Sequence, residues 1–262
     1  VLEATDRYRA DPGDEALTAI AKALEAPRVK LFRRMNMAPE GTAVLVKMRG
    51  ELLRLLPNRS DLKRVDMDLR HQFISWFNRG FLELRLIDWN SPAAVLEKII
   101  QYESVHEIRG WEDLRSRLRE NRLCFAFFHP AMPDDPLVFV EVALTSGVPE
   151  AIAPLLQHTD RTDSERNLDT VVFYSISNCH PGLTGVSFGN FLIKQVVEET
   201  GKRYPKAKRY VTLSPIPGFC KWLKTRAQDH DIDIEAVKLA LENQGKDAPE
   251  VHRDILLKLS AQ

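Results

Sequence analysis

The sequence holds 262 residues, 44% hydrophobic and 28% charged, enough chain to bury a core without a disulfide or metal staple and far from disordered, collagenous or membrane compositions. Lys plus Arg number 37 and Asp plus Glu number 37, so no overall field draws the chain to nucleic acid or to an acidic membrane surface. Cys124, Cys179 and Cys220 are odd in number and lack CxxC spacing, which argues against a secreted disulfide framework and a cysteine zinc site and favours a reducing, cytoplasmic compartment.

In chain order, the start Val1-Leu2-Glu3-Ala4 has neither an initiator Met nor a signal-peptide pattern, and is expected to be trimmed or to begin inside a longer chain. Apolar residues then recur at helical spacing: Ala16, Ile20, Ala23 and Leu24, then Leu45, Met48, Leu52 and Leu56, then Leu69, Phe73 and Phe77. Pro27, Pro39, Pro57 and Pro92 fall at helix edges, with Ser91-Pro92 reading as an N-cap followed by Pro at the first helical position. The run Phe81 to Trp89 fits either helix or strand. Beyond Ile108, β-branched and aromatic runs at Cys124 to Phe128, Leu137 to Leu144, Val171 to Ile176 and Tyr210 to Leu213 predict strands. Helical patterns at Trp111 to Leu118, Val148 to Leu156 and Phe188 to Glu199 interleave with them, as in an α/β sheet domain. The organisation expected is α+β: an all-helical bundle domain over 1–105, then a mixed α/β domain over 106–262. The polar stretch Gln157 to Asp169 reads as an exposed loop, with an active-site lid as the second reading. No apolar stretch approaches the roughly 20 residues that span a bilayer, so no membrane segment is expected.

Two segments carry candidate chemistry. Thr170 to Glu199 is a strand, a turn containing Gly182, Gly185 and Gly189, and an amphipathic helix. Such a turn lets the backbone approach a ligand, and the free N–H groups of the helix start suit a phosphate or pyrophosphate. It matches neither GxGxxG nor the P-loop, so a turn serving topology alone stays open. In Tyr210 to Leu223 a short strand runs into Ser214-Pro215-Ile216-Pro217-Gly218, whose prolines stiffen the rim position of Ser214. A capping or turn serine is the other reading there, and no GxSxG elbow supports an acyl-enzyme. The histidines show no HExxH or His-x-His pattern, so no metal site is expected; His180, beside the glycine turn, is either near a ligand or an exposed turn residue. Lys202 to Arg209, KRYPKAKR, reads as a solvated helix-to-strand connection rather than a nucleic-acid site.

Taken together, FNRGFLELRLIDW (Phe77 to Trp89), FYSIS (Phe173 to Ser177) and LSPIPGF (Leu213 to Phe219) resemble the malonyl-CoA decarboxylases, and the resemblance covers essentially the whole chain. It implies a helical domain for assembly of a homo-oligomer, a tetramer, and a catalytic domain with the CoA-dependent N-acetyltransferase fold. It makes Gly185, Val186, Ser187, Phe188, Gly189 and Asn190 the cradle of the CoA pyrophosphate. Ser214 matches the serine taken to hydrogen-bond the malonyl group and steer loss of its carboxylate, with Pro215, Ile216 and Pro217 positioning it. The implied reaction is decarboxylation of malonyl-CoA to acetyl-CoA and CO2 through an enolate, with no metal, biotin or pyridoxal, CoA being part of the substrate. No nucleic-acid or membrane partner is implied. The family's proton-donating histidine lies in a Phe-His-Leu-x-Asn-Gly-Ala segment that matches no histidine here, His252 included, and the chain is expected to be truncated ahead of it. Ser187 stands where animal members carry glutamate, and its SFGN context resembles bacterial members. The alternatives are an acyl-CoA-dependent acetyltransferase and a non-catalytic CoA-binding or assembly fragment.

Overall fold

The computed structural model describes residues 1–156, 168–215 and 218, and it divides into two units, Val1–Leu213 and Ser214–Gln262. In the first unit α1 (Leu2–Ala10), α2 (Asp14–Leu24), α3 (Pro27–Asn36), α4 (Gly41–Leu55) and α5 (Lys63–Trp76) follow the helical periodicity. Pro27 starts α3, where its missing N–H and fixed φ cost nothing. The turn into α4 is tight enough that a Cβ on Gly41 would sit 1.9 Å from the Met35 carbonyl oxygen. Leu45, Val46, Arg49, Gly50 and Leu52 form the buried face of α4, and Leu69, Gln72 and Phe73 that of α5.

The strands β1 (Glu83–Ile87), β2 (Arg122–Phe128), β3 (Val138–Thr145), β4 (Thr170–Asn178) and β5 (Arg209–Thr212) lie side by side in that order. All pairs are antiparallel except β4 with β5, which α9 (Gly189–Arg203) joins as a parallel crossover. One sheet face packs against the helical layer: Phe125, Phe127, Val140, Val142, Val171 and Phe173 share one core with Phe32, Leu45, Leu69 and Phe73. The other face carries α6 (Ala93–Tyr102) and α7 (Trp111–Arg117), with Ile99 and Leu114 wholly buried against Cys124, Ala126 and Phe128.

The helical region thus gives way to sheet earlier than residue 105. The run that fits helix or strand is the edge strand β1, decided by antiparallel pairing from Glu83 with Phe128 to Ile87 with Cys124. α6 has the periodicity of a helix covering a sheet, which a one-dimensional pattern does not separate from a bundle helix. The helix expected over 148–156 shrinks to α8 (Ala153–Leu156). Gly147 sits at φ +81 and Pro149 keeps Val148 out of the α region, so helix begins only beyond them. The expected loop falls mainly at 157–167, outside the described residues. Its last residue, Asp169, is tied down: its carboxylate accepts from the Gly147 N–H and the Thr170 hydroxyl and pairs with Arg209, which holds its pKa down at about 2. Among the described residues no helix is long and apolar enough to cross a membrane.

Candidate active site

The feature that shapes the site is a β-bulge in β4. Glu141 of β3 pairs with Ser175 and the next residue, Val142, pairs with Phe173, so Tyr174 is an extra residue on β4. Parity would place Ser175 with Val171 and Phe173 on the helical face; the bulge turns it over. Ser175 and Ser177 instead donate to Glu103, at the end of α6, with Ser175 Oγ 2.9 Å from both carboxylate oxygens. Glu103 also accepts the N–H groups of Val105 and His106 at 2.7 Å, which satisfies a buried polar side chain. The β4–β5 ladder ends at the same place. Its last register pair is Phe173 with Thr212, closed by Leu213 N–H donating to the Phe173 carbonyl at 2.9 Å. Beyond the bulge β4 continues to Asn178, whereas β5 ends at Thr212 and its ladder with it, so the last bonds of this parallel pair lie at the carboxyl end of β5, where α/β sheets seat ligands.

From β4 the chain turns through His180, a single 3-10 turn at Pro181–Leu183, and Gly185 at φ +75 before α9 begins. Consecutive short bonds hold it: Leu183 N–H to His180 O, Thr184 N–H to Pro181 O, and Val186 N–H to Leu183 O. Gly182 lies on the backbone of α4, and Arg49 of α4 donates to the carbonyls of Gly182 (2.6 Å) and Thr184 (2.9 Å) while bonding Asp66 at 2.8 Å. Arg70 of α5 donates to the Gly185 carbonyl at 3.0 Å. The Arg79 guanidinium stacks 4.0 Å from the Phe191 ring in the first turn of α9. That turn contains no acidic residue, so the positive end of the helix dipole stays uncompensated.

Of the titratable groups near the sheet, Glu141 is wholly buried and Arg117 is its partner at 3.0 Å. Burial outweighs the guanidinium and pushes the Glu141 carboxyl from 4.5 up to about 8. The folded protein therefore keeps a proton that the unfolded chain has lost, so this group's contribution is complete below about pH 4.5 and declines as pH rises through about 8. Glu141→Gln is expected to flatten that decline in melting temperature; an unchanged slope between the two proteins would sink this assignment. The comparison isolates Glu141 from His106, His129 and His180, whose pKa values burial lowers and which act in the opposite sense.

With this geometry in place, comparison with known proteins gives a consistent answer. The sequence model described as "Malonyl-CoA decarboxylase C-terminal domain" matches residues 80–255, and the one described as "Malonyl-CoA decarboxylase N-terminal domain" matches residues 1–77. The chain belongs to the malonyl-CoA decarboxylase family. It is similar to the crystal structure of malonyl-CoA decarboxylase from Rhodopseudomonas palustris, with 48% identity and a TM-score of 0.87 over 99% of this chain and 66% of that one. The corresponding structure from Agrobacterium vitis gives 49% and 0.84, over 97% of this chain and 63% of that one. The curated mitochondrial malonyl-CoA decarboxylase of Anser anser anser is 35% identical over 235 residues, 87% of this chain and 47% of the relative. The chain spans about half the length of the curated relatives it matches. The two matched regions meet just ahead of β1, where helices give way to sheet.

The malonyl-CoA decarboxylase motifs fall on distinct parts of the fold. FYSIS spans the bulge of β4, and the expected cradle residues run from the turn after β4 into the first turn of α9. Gly185 and Ser187 are exposed and Phe188 is half-buried, whereas the Val186 side chain enters the core and its N–H is taken by the Leu183 carbonyl. Gly189 and Asn190 are the first residues of α9. Ser214 and Pro215 open the second unit and are exposed, and Gly218 is at φ +81; Ile216 and Pro217 lie outside the described residues. So do Cys220, His158, His230 and His252. His180 is not an exposed turn residue: its side chain is 13% exposed, packed on the Tyr102 ring, with Nε2 3.6 Å from Asp135. In KRYPKAKR, Lys202, Arg203 and Arg209 pair with Glu198, Glu199 and Asp169, as a solvated connection would. Sequence reasoning missed Arg49, Arg70 and Glu103. For Arg49 there was a signal, since it falls on the same helical stripe as Leu45, Val46 and Leu52, where an arginine needs a buried partner.

Proposed function

We propose that this chain binds malonyl-CoA and carries the serine side of its decarboxylation to acetyl-CoA and CO2. The observation that supports it most is the sequence of bulge, end of the parallel ladder and glycine turn ahead of a 15-residue helix, in a chain of this family. In this reading the cradle, Gly185, Val186, Ser187, Phe188, Gly189 and Asn190, holds the CoA pyrophosphate through its free N–H groups, that of Val186 being already bonded to the Leu183 carbonyl. The pantetheine arm runs toward the carboxyl end of β5. Ser214, next in sequence after Leu213, whose N–H is bonded to β4, hydrogen-bonds the malonyl group.

The bond from the α-carbon to the carboxylate breaks, its electron pair passes into the thioester as an enolate, CO2 leaves, and the α-carbon takes a proton. The thioester is the electron sink, so the reaction asks the protein for orientation, hydrogen bonds to the developing oxyanion and exclusion of water. No cofactor beyond the CoA of the substrate enters this scheme. No histidine of the sequence stands in the family's Phe-His-Leu-x-Asn-Gly-Ala context, and the proton donor is left unassigned. The reading includes a cytoplasmic homo-oligomer, tetrameric in the family expectation; exposed Leu17, Leu24, Leu31, Val44 and Ile74 on the helical layer support assembly through that layer.

The test is conversion of malonyl-CoA to acetyl-CoA alongside calorimetric titration with CoA. Turnover with CoA binding is the expected result. CoA binding without turnover would leave a binding module, acetyl transfer from acetyl-CoA to an amine would make the chain a transferase, and absence of CoA binding would overturn the reading altogether.

A further inference from the structure

The helical layer is not only a surface for assembly. We infer that Arg49, assisted by Arg70, is a positioning residue that aims the glycine turn at the CoA pyrophosphate; the inference rests on the CoA-binding reading above. Arg49 is 2% exposed, yet only one of its contacts is a carboxylate. Its other hydrogen bonds go to backbone carbonyls of the turn, 133 and 135 residues along the chain. A trans peptide holds its C=O and N–H on opposite sides of one plane. With the Thr184 carbonyl fixed on Arg49, the Gly185 N–H is directed away from α4, and Gly185 itself is exposed.

Gripping the Gly182, Thr184 and Gly185 carbonyls from behind also has an electrostatic effect. Their negative ends are turned toward guanidinium groups and are thereby partly neutralised beside the turn that leads into α9. Arg79, stacked on Phe191, steadies the first turn of that helix from the same layer. Gly182 lets α4 and the turn approach closely enough for these bonds, since a Cβ there would sit 1.9 Å from the Val46 carbonyl oxygen. An arginine used only to stabilise the fold has no reason to discriminate among ligands; one that aims a phosphate cradle does.

The test uses Arg49→Met, Arg49→Lys and Arg70→Met, with CoA affinity read by calorimetry. The second readout is kcat/KM for malonyl-CoA relative to malonyl-pantetheine, which has no pyrophosphate. For Arg49→Met the CoA Kd is expected to rise about tenfold or more and the malonyl-CoA preference to fall by a similar factor, with Arg49→Lys recovering part of both. Arg70→Met, exposed and bonded to one carbonyl, is expected to lose about threefold in CoA affinity with an unchanged melting temperature, so a misfolding Arg49→Met does not remove the test. Equal losses on the two substrates, or an unchanged CoA Kd in folded variants of a parent chain that binds CoA, would overturn the arginine inference alone. A parent chain that fails to bind CoA would take the functional reading down with it.

Discussion

Replacing Ser214 by alanine is expected to lower turnover of malonyl-CoA by about 10²–10³-fold while leaving the CoA Kd within about twofold, the size seen when one aimed hydrogen-bond donor is removed from an oxyanion site. The separation of the two effects follows from where the interactions lie. In the proposed mode most of the CoA is held by the backbone of the turn and the first turn of α9, which Ser214 does not belong to. The serine's hydrogen bond matters most when charge develops on the malonyl thioester, so its loss appears in kcat more than in binding. Ser214 is exposed, and the substitution removes one hydroxyl, so the variant is expected to fold and melt as the parent does. A folded Ser214→Ala protein with unchanged kcat would return this serine to a structural role. Parallel loss of CoA affinity and turnover would place it in the binding site instead.

The second large effect is structural and arises at Gly182. A Cβ there would lie 1.9 Å from the Val46 carbonyl oxygen, 2.8 Å from the Val46 carbonyl carbon and 3.1 Å from the Gly50 nitrogen. All three are backbone atoms of α4, so no side chain can swing aside; either the helix shifts or the turn lifts away. Overpacking of this kind costs about 3 kcal/mol, which for a unit of this size lowers the melting temperature by roughly 6–12 °C. Gly182→Ala is expected to show that drop and, by pulling the turn off Arg49, to weaken CoA binding as well. Gly13→Ala serves as the control, because nothing lies within 4 Å of its Cβ position. A Gly182→Ala protein that melts with the parent and binds CoA equally well would mean that the turn does not depend on its seat against α4.

Read from the chain alone, β2, β3, β4 and β5 were visible as β-branched and aromatic runs, and α9 as an amphipathic helix following a glycine turn. Local composition suffices for such elements because each long periodic segment expresses its own preference. β1 was ambiguous because a short apolar run at a domain edge satisfies both periods, and only its pairing with β2 decides. The helix foreseen at 148–156 failed on a local rule, since Pro149 restricts the residue before it.

The site divides in the same way. The motifs that resemble the family were plain in the sequence, and so were the glycines, because backbone conformation and close approach restrict residue choice at single positions. The bulge at Tyr174 was not, since an extra residue on one strand is defined only against the register of its neighbour β3. Nor was the burial of Arg49, whose carbonyl partners on the turn lie 133 and 135 residues away. By itself, then, the sequence determined composition class, most of the secondary structure and family membership, which depend on short-range preferences and motifs. Tertiary structure alone decided which face Ser175 and Ser177 occupy, where the β4–β5 ladder ends, and that the helical layer grips the glycine turn. Each of those depends on partners brought together from distant parts of the chain by burial of a shared core, and no local pattern encodes them.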